Sequence, residues 1–360
     1  MVASRPEPLL SVEDLRVKFA TEDGIVGAVD GVSLELNPGE ILGIVGESGS
    51  GKSVSAQTIM GLTRSPNASI SGSVRFHGND LVSATEEDLQ SIRGQEISMV
   101  FQDPMTSLNP VYRVGDQIVE QIEAHRELPR DEAKRRSVEL LASVGIPNAA
   151  ERVDDYPYEF SGGMRQRAMI AMALALEPRV LIADEPTTAL DVTIQAQIMA
   201  LIQRLNEERG LAVILITHDL GVIAEVADRV LVMYAGQIVE QGSLDEIFYD
   251  PQHPYTWGLM GSLTRLDQPP PERLPQIAGQ PPSLLSPPSG CRFRPRCPHA
   301  FEKCTELPGL EERLAGASGH ADRCWLDPQD KKELREVEGR IGLEVLTRGS
   351  PAGAAEGEPV

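Results

Sequence analysis

A glycine-rich segment lies between an apolar run at residues 41–45 and a helical pattern at residues 52–62. It fits the pattern G-x-x-x-x-G-K-[ST] and consists of Gly46, Glu47, Ser48, Gly49, Ser50, Gly51, Lys52 and Ser53. In such a loop, backbone N–H groups and a helix N-terminus surround phosphate oxygens, the lysine adds a positive charge, and the serine hydroxyl binds Mg²⁺. A chance Gly/Ser turn is the alternative, but the strand and the helix on either side favour a phosphate-binding loop.

A second apolar run, residues 180–183, ends in two carboxylates, Asp184 and Glu185. At the carboxyl edge of a parallel sheet such residues emerge beside the phosphate loop. Asp184 is then placed to hold Mg²⁺ through water, and Glu185 to polarise the water that attacks the γ-phosphate. A solvated acidic turn is the alternative for this pair.

Apolar runs alternate with helical patterns over residues 1–262, which predicts a largely parallel α/β sheet. The clearest strands are residues 41–45, 180–183 and 213–216. An antiparallel layer beside that sheet is predicted from residues 15–20, 32–36 and 73–76, and a hairpin from residues 231–234 and 237–240. Residues 116–125 and 131–144 have helical spacing, so a helical subdomain is placed at about residues 103–176.

Composition excludes several classes of protein. Hydrophobic residues make up 41% and charged residues 24% of the chain, as in ordinary globular proteins. The longest apolar run, residues 168–176, is far shorter than the roughly 20 residues of a membrane span, and no secretory signal is recognised, so a cytosolic chain is expected. The formal net charge of −21 argues against nucleic acid as a partner.

A third motif, Ser161-Gly162-Gly163, precedes a helical pattern that runs to Leu176. The serine can cap this helix, and the glycines leave its N–H groups open to an anion. Together with the two motifs above, and in this order along the chain, it resembles the signature of ABC-type ATPases. That resemblance implies an ABC-type nucleotide-binding domain of the α/β class: a P-loop, RecA-like parallel sheet with an antiparallel β subdomain and a helical subdomain.

The resemblance also implies roles for four further residues. Gln102 is similar to the glutamine that senses Mg²⁺ and transporter contact, and His218 to the histidine that contacts the γ-phosphate. Asp191 lies in a segment, Ala189-Leu190-Asp191, that resembles the D-loop. Phe19 resembles the aromatic residue that stacks on adenine, although an ordinary strand-core phenylalanine is an equal alternative.

The single cassette implies a partner, because ABC-type ATPases place ATP between the phosphate loop of one cassette and the Ser-Gly-Gly of another. No internal repeat supplies a second cassette within the chain. Phe160 and Met164 stand where the general pattern has Leu and Gln, which removes a side-chain amide near the signature.

A closer resemblance is to the ATPase subunits of bacterial and archaeal oligopeptide/dipeptide importers. It rests on residues 101–110, on residues 160–167 and on His253-Pro254-Tyr255-Thr256 with the proline-rich and cysteine-bearing segments that follow. This resemblance implies an ATPase at the cytoplasmic face of the cell membrane, paired with a second ATPase, two membrane permease subunits and an external peptide-binding protein. Import of nickel or another small solute is an alternative, and a soluble ABC-type ATPase outside transport is disfavoured.

The C-terminal part combines prolines and cysteines. Eight prolines fall within residues 269–288, so residues 263–290 are interpreted as a linker or strap. Residues 291–330 form a predicted cysteine-rich extension whose four cysteines are Cys291, Cys297, Cys304 and Cys324. Four thiols flanked by basic residues favour a 4Fe-4S cluster, with zinc or merely packed thiols as alternatives. Residues 331–360 are assigned to a tail with a disordered end.

Overall fold

The computed structural model describes residues 7–103, 107–188, 190–262, 277–314 and 319–338. Within them the strands are β1 (Leu10–Thr21), β2 (Gly24–Leu36), β3 (Ile41–Val45), β4 (Ala68–Phe76), β5 (Asn79–Asp80), β6 (Ile97–Val100), β7 (Val180–Asp184), β8 (Ala212–Thr217), β9 (Arg229–Tyr234), β10 (Gln237–Ser243) and β11 (Ala321–Asp322). The helices are α1 (Lys52–Ile59), α2 (Glu86–Ile92), α3 (Val114–His125), α4 (Arg130–Ser143), α5 (Ala149–Arg152), α6 (Gly162–Ala173), α7 (Val192–Arg209), α8 (Leu220–Val226), α9 (Leu244–Tyr249), α10 (Pro254–Gly261) and α11 (Pro328–Glu338). Short 3₁₀ turns cover Pro157–Glu159, Arg294–Arg296 and Glu302–Thr305.

A seven-stranded sheet has the order β11-β10-β9-β3-β8-β7-β6. Strands β9, β3, β8, β7 and β6 are parallel, whereas β10 and β11 are antiparallel to their neighbours. Every residue of β3, β7 and β8 is buried, as expected where both faces of a parallel sheet are covered. These strands confirm the three predicted from apolar runs, and β7 and β8 extend slightly beyond them.

A four-stranded antiparallel sheet, β2-β1-β4-β5, forms the second layer. Its buried side chains share one hydrophobic cluster with α1 and with one face of the parallel sheet. The predicted strands at residues 15–20, 32–36 and 73–76 lie within β1, β2 and β4. The predicted hairpin is β9–β10, and its turn residues Ala235 and Gly236 both have positive φ, at 47° and 84°, as a tight two-residue turn requires.

The helices α3, α4, α5 and α6 lie between β6 and β7, where a helical subdomain was predicted. Ile118, Ile122 and Leu141 on these helices are fully buried or nearly so in the larger hydrophobic cluster. Helix α6 ends at Ala173, three residues before the predicted end. No helix among the described residues is long and apolar enough to cross a bilayer.

The C-terminal segments are continuous with the main domain rather than a separate module. Strand β11 pairs with β10 and so joins the central sheet, and Phe293 is part of the main hydrophobic core. The predicted boundary between extension and tail, at residues 330 and 331, falls inside α11. This helix is held by the fully buried Lys331, whose Nζ donates to Asp322 Oδ1 at 2.7 Å. Residues 263–276 of the strap and 339–360 of the tail lie outside the described residues.

Candidate functional site

The phosphate loop joins β3 to α1 and is organised around a buried lysine. Lys52 Nζ donates to the carbonyl oxygens of Gly46 at 2.7 Å and Glu47 at 3.0 Å. Burial lowers the pKa of Lys52, while the carboxylates of Glu185, Asp184 and Glu47 act in the opposite direction. The ammonium group is therefore held inside the loop, where it can exchange backbone carbonyls for phosphate oxygens.

Two glycines of the loop are required by close backbone approaches. A Cβ on Gly46 would lie 2.1 Å from the carbonyl oxygen of Met233, in β9. A Cβ on Gly51 would lie 2.5 Å from the carbonyl oxygen of Ala28, in β2, and Gly51 has a φ of 100°. The loop can therefore turn tightly beneath a phosphate only with glycine at these positions.

Two oxygen donors meet at the end of the loop. Ser53 Oγ donates to Asp184 Oδ1 at 2.9 Å, across 131 residues of sequence. Burial raises the pKa of Asp184, and the neighbouring Glu185 adds to this, whereas the hydrogen bond from Ser53 and the charge of Lys52 oppose it. A hydroxyl and a carboxylate side by side are the hard ligands that Mg²⁺ prefers, so the residues present fit this ion.

Three side chains contact the carboxylate of Glu185. Gln102 Nε2 donates to Glu185 Oε2 at 3.0 Å, Thr188 Oγ1 donates to the same oxygen at 2.8 Å, and His218 Nδ1 lies 3.4 Å from Glu185 Oε1. Glu185 itself has a φ of 48°, and its N–H donates to the carbonyl of Ile216 at 2.8 Å. Thr188 was not found from the sequence.

The convergence follows from strand order. Gln102 follows β6, Glu185 follows β7, His218 follows β8 and the phosphate loop follows β3; these four strands are adjacent and parallel. Their carboxyl ends therefore deliver all of these side chains to one edge, as the sequence predicted.

Other predicted residues lie elsewhere. Ser161 caps α6 through a hydrogen bond from the N–H of Met164 at 3.3 Å, and Ser161 and Gly162 are exposed. Among the described residues, no hydrogen bond joins Ser161, Gly162 or Gly163 to the phosphate loop. Asp191 caps α7 by accepting from Ile194 N at 3.0 Å, and Ala189 is outside the described residues. Phe19 is half-buried and packs against the core cluster of the antiparallel sheet, so its adenine contact stays a prediction.

The four cysteines line one cavity, although they are spread over 34 residues of the chain. Cys304 and Cys324 are buried, and Cys291 and Cys297 are partly buried. Burial raises the pKa of Cys291 and raises that of Cys324 to about 12. Among the described residues, however, no group of three or more His, Cys, Asp or Glu side chains is arranged to hold a metal ion. The expectation of a formed metal centre is therefore not confirmed, although the donor set is gathered in one place.

Comparison with known protein families gives three matches. A model described as "ABC transporter" matches residues 29–188, and one described as "Oligopeptide/dipeptide transporter, C-terminal region" matches residues 239–304. A third match, to an AAA domain, covers residues 153–224. The oligopeptide transport ATP-binding protein OppD of Salmonella typhimurium is 54% identical over 309 residues, which span 85% of this chain and 92% of that protein. The chain belongs to the OppD/DppD family of ABC transporter ATP-binding proteins.

Other relatives agree with that assignment. OppD of Bacillus subtilis is 56% identical over 82% of both chains, and the dipeptide transport ATP-binding protein DppD of the same organism is 51% identical over 90% of this chain and 96% of its own. Among solved structures, a dimeric bacterial ABC transporter cassette, MJ0796, superposes with a TM-score of 0.59 at 29% identity, covering 65% of this chain and 98% of the cassette. The predicted family and the ABC cassette fold are confirmed.

Proposed function

We propose that this chain hydrolyses ATP to energise the import of dipeptides or oligopeptides through membrane subunits supplied by other chains. The proposal is carried by the meeting of Ser53, Asp184 and Glu185 at the phosphate loop. The chain is also 54% and 51% identical in sequence to an oligopeptide and a dipeptide transport ATP-binding protein. The phosphate loop supports binding of the nucleotide, and the carboxylate pair supports its hydrolysis.

Each side chain at this edge of the sheet has its own proposed role in ATP binding or hydrolysis. Backbone N–H groups of the loop and Lys52 bind the β- and γ-phosphates. Ser53 and Asp184, with Gln102 nearby, would hold Mg²⁺, which neutralises charge that develops on the phosphates. Glu185 takes a proton from the attacking water as the water oxygen bonds to the γ-phosphorus and the bond from that phosphorus to the β–γ bridging oxygen breaks, releasing ADP and phosphate. His218 would contact the same γ-phosphate. Gln102 and Thr188 fix the orientation of the Glu185 carboxylate.

A second ATPase subunit completes the site in this proposal. The exposed Ser161 and Gly162 and the exposed Val192 next to Asp191 support it, because nothing in the described part of the chain covers these residues; Gly163, beside them, is partly buried. Val111 is 73% exposed and Tyr112 57%, and both follow closely on Gln102. We propose that this apolar surface receives the membrane permease subunits at the cytoplasmic face of the membrane, with an external peptide-binding protein completing the complex.

Reconstitution into vesicles tests the proposal. The chain would be assembled with its membrane subunits, and ATP hydrolysis and uptake of labelled dipeptides, pentapeptides and Ni²⁺ would be measured in parallel. Peptide uptake that requires ATP, and hydrolysis stimulated by peptide, support the proposal. Stimulation by Ni²⁺ without any by peptides would replace the substrate class, and hydrolysis unaffected by the membrane subunits would contradict a transport role.

For the four cysteines we propose a bound 4Fe-4S cluster, with zinc as the alternative. Support comes from the shared cavity and from Arg294 and His299, which also line it, because a Cys₄ cluster is an anion that basic neighbours stabilise. The test is visible absorption with iron, sulfide and zinc assays on protein purified without oxygen. Broad absorbance near about 400 nm with matching iron and sulfide supports a cluster. Zinc without iron selects the alternative, and metal-free protein contradicts both.

A further inference from the structure

Arg296 lies in the cysteine-bearing segment, yet its guanidinium group donates its hydrogen bonds to residues outside that segment. Nη1 donates to Glu47 Oε2 at 2.6 Å and to the Tyr234 hydroxyl at 3.3 Å, and Nη2 donates to Glu47 Oε1 at 3.0 Å. The backbone carbonyls of Ile277 and Ala278 accept the remaining two bonds, at 3.2 Å and 3.0 Å. All five N–H groups of the fork are thus accounted for, and only 5% of the side chain is exposed.

The acceptor of this two-pronged ion pair belongs to the phosphate loop. Glu47 is the second residue of the loop, 249 residues before Arg296. Its backbone N–H is held as well, by donating to the hydroxyl of the fully buried Tyr255 at 2.9 Å. Its carbonyl oxygen accepts from Lys52. Side chain, N–H and carbonyl of one loop residue are therefore each tied to a different part of the chain.

The residues next to Arg296 are packed against the main domain, which restricts the movement of Arg296. Phe293, at the start of the same turn, is 2% exposed and contacts the rings of Tyr234 and Tyr255 at centroid distances of 5.3 Å and 5.4 Å. Arg292 binds Asp30 and the carbonyl of Ala235, and the N–H of the following residue, Gly236, donates to the carbonyl of Ser50 in the phosphate loop at 2.8 Å. An ion pair whose cation is anchored by packing on both sides can fix the loop in place, which a surface pair on flexible side chains cannot.

We infer that Arg296 is a positioning residue for ATP binding: through Glu47 it holds the phosphate-binding loop open in the conformation that receives the β- and γ-phosphates. The inference rests on the proposed ATP site. It makes the turn between Cys291 and Cys297 part of the nucleotide site, although none of its residues touches the nucleotide. The loss of Arg296 leaves the Glu47 carboxylate partly buried without its cation, so the loop gains freedom that ATP must remove on binding.

The experiment measures ATP affinity and ATP turnover in Arg296→Gln, Arg296→Lys and the double variant Glu47→Gln/Arg296→Gln. The matched control is Arg335→Gln, since Arg335 is also a nearly buried arginine of the C-terminal segments, donates to Asp250 and to the carbonyl of Pro251, and makes no ion pair with the phosphate loop among the described contacts. We expect Arg296→Gln to raise the Kd and the KM for ATP by about tenfold while kcat at saturating ATP changes less than about twofold. Arg296→Lys should recover part of the affinity, the double variant should be no worse than Arg296→Gln, and Arg335→Gln should keep the wild-type Kd and KM for ATP even where its melting temperature falls.

A merely structural role gives a different result. If Arg296 only stabilises the fold, its removal lowers the melting temperature and the fraction of active protein, so kcat falls while KM and Kd stay at the wild-type values. That outcome, or an additive loss in the double variant, would overturn the inference. Absence of ATP binding by the folded wild-type protein would instead remove the proposed ATP site itself.

Discussion

Thr188→Val removes one of the two hydrogen bonds that orient the Glu185 carboxylate while keeping the shape of the side chain. The hydroxyl donates to Glu185 Oε2 at 2.8 Å, and the glutamate side chain is 13% exposed. A hydrogen bond to a charged group contributes about 1.5–3 kcal/mol, which would correspond to a loss of roughly 10- to 150-fold if it were made entirely in the transition state. Gln102 still donates to the same oxygen, so we expect the lower end, about a tenfold fall in kcat.

The assay is steady-state ATP hydrolysis by the same preparation of wild type and variants. The KM for ATP should change little, because Thr188 has no contact with the phosphate loop among the described residues. Thr188→Ser, which keeps the hydroxyl, should retain most of the wild-type kcat. A wild-type kcat in Thr188→Val would refute the orienting role. An equal fall in kcat in Thr188→Val and Thr188→Ser would refute it as well, because the serine keeps the hydroxyl.

Two further predictions concern the loop and the C-terminal segments. Gly51→Ala should abolish ATP binding measured by calorimetry, because the added Cβ would lie 2.5 Å from a backbone carbonyl oxygen. The Cβ of Gly49→Ala meets no atom within 4 Å, so this variant should cost only about 1–3 kcal/mol of backbone strain. An equal loss of ATP affinity in the two variants would contradict this. Burial is the largest single influence on His320 and opposes its charge, but the hydrogen bond to the fully buried Glu240, at 2.9 Å, and the charges of Glu240, Glu246 and Asp250 together outweigh burial and raise the pKa of His320. The stabilisation by protonated His320 is therefore present below about pH 6.5 and lost as the pH rises through the raised pKa. Between about pH 6 and pH 9 the melting temperature of the wild type should fall, and that of His320→Gln should fall by less.

The edge of the sheet was predictable because each part of it has a local signature. An apolar run followed by a glycine-rich loop, or by two carboxylates, identifies both a strand and the residue at its carboxyl end. Parallel packing then brings these ends together without further information. Thr188 was not predictable in this way, since no local pattern marks the hydroxyl that donates to Glu185 three residues earlier.

The contacts of the C-terminal segments with the main domain were not predicted from the sequence, and one physical reason is their buried charge. Lys331 and Asp322 are almost fully buried as a pair, and Glu240 is fully buried against His320. A sequence gives no sign that such residues are inside, because charged side chains are usually solvated and their partners lie 9 and 80 residues away. The prediction of an extension rested instead on the prolines and cysteines of the C-terminal part, which give no sign that β11 pairs with β10.

The contact between Arg296 and Glu47 illustrates the same limit at the functional site. Both residues were noticed in the sequence, one as a loop residue and one as a basic neighbour of the cysteines. The packing of Phe293 against Tyr234 and Tyr255, and the hydrogen bonds of both residues to these tyrosines, accompany the contact. Long-range pairs of this kind have no periodicity or spacing that a sequence could display.

Glu185→Gln tests the central claim most directly, with ATP binding and ATP hydrolysis measured on the same folded protein. The account predicts that the variant binds ATP as tightly as the wild type, because the phosphate loop and Ser53 are unchanged, and that hydrolysis falls by at least about 100-fold because the amide cannot accept the proton of the attacking water. Hydrolysis at the wild-type rate would remove Glu185 from its role, and with it the reaction assigned to this edge of the sheet.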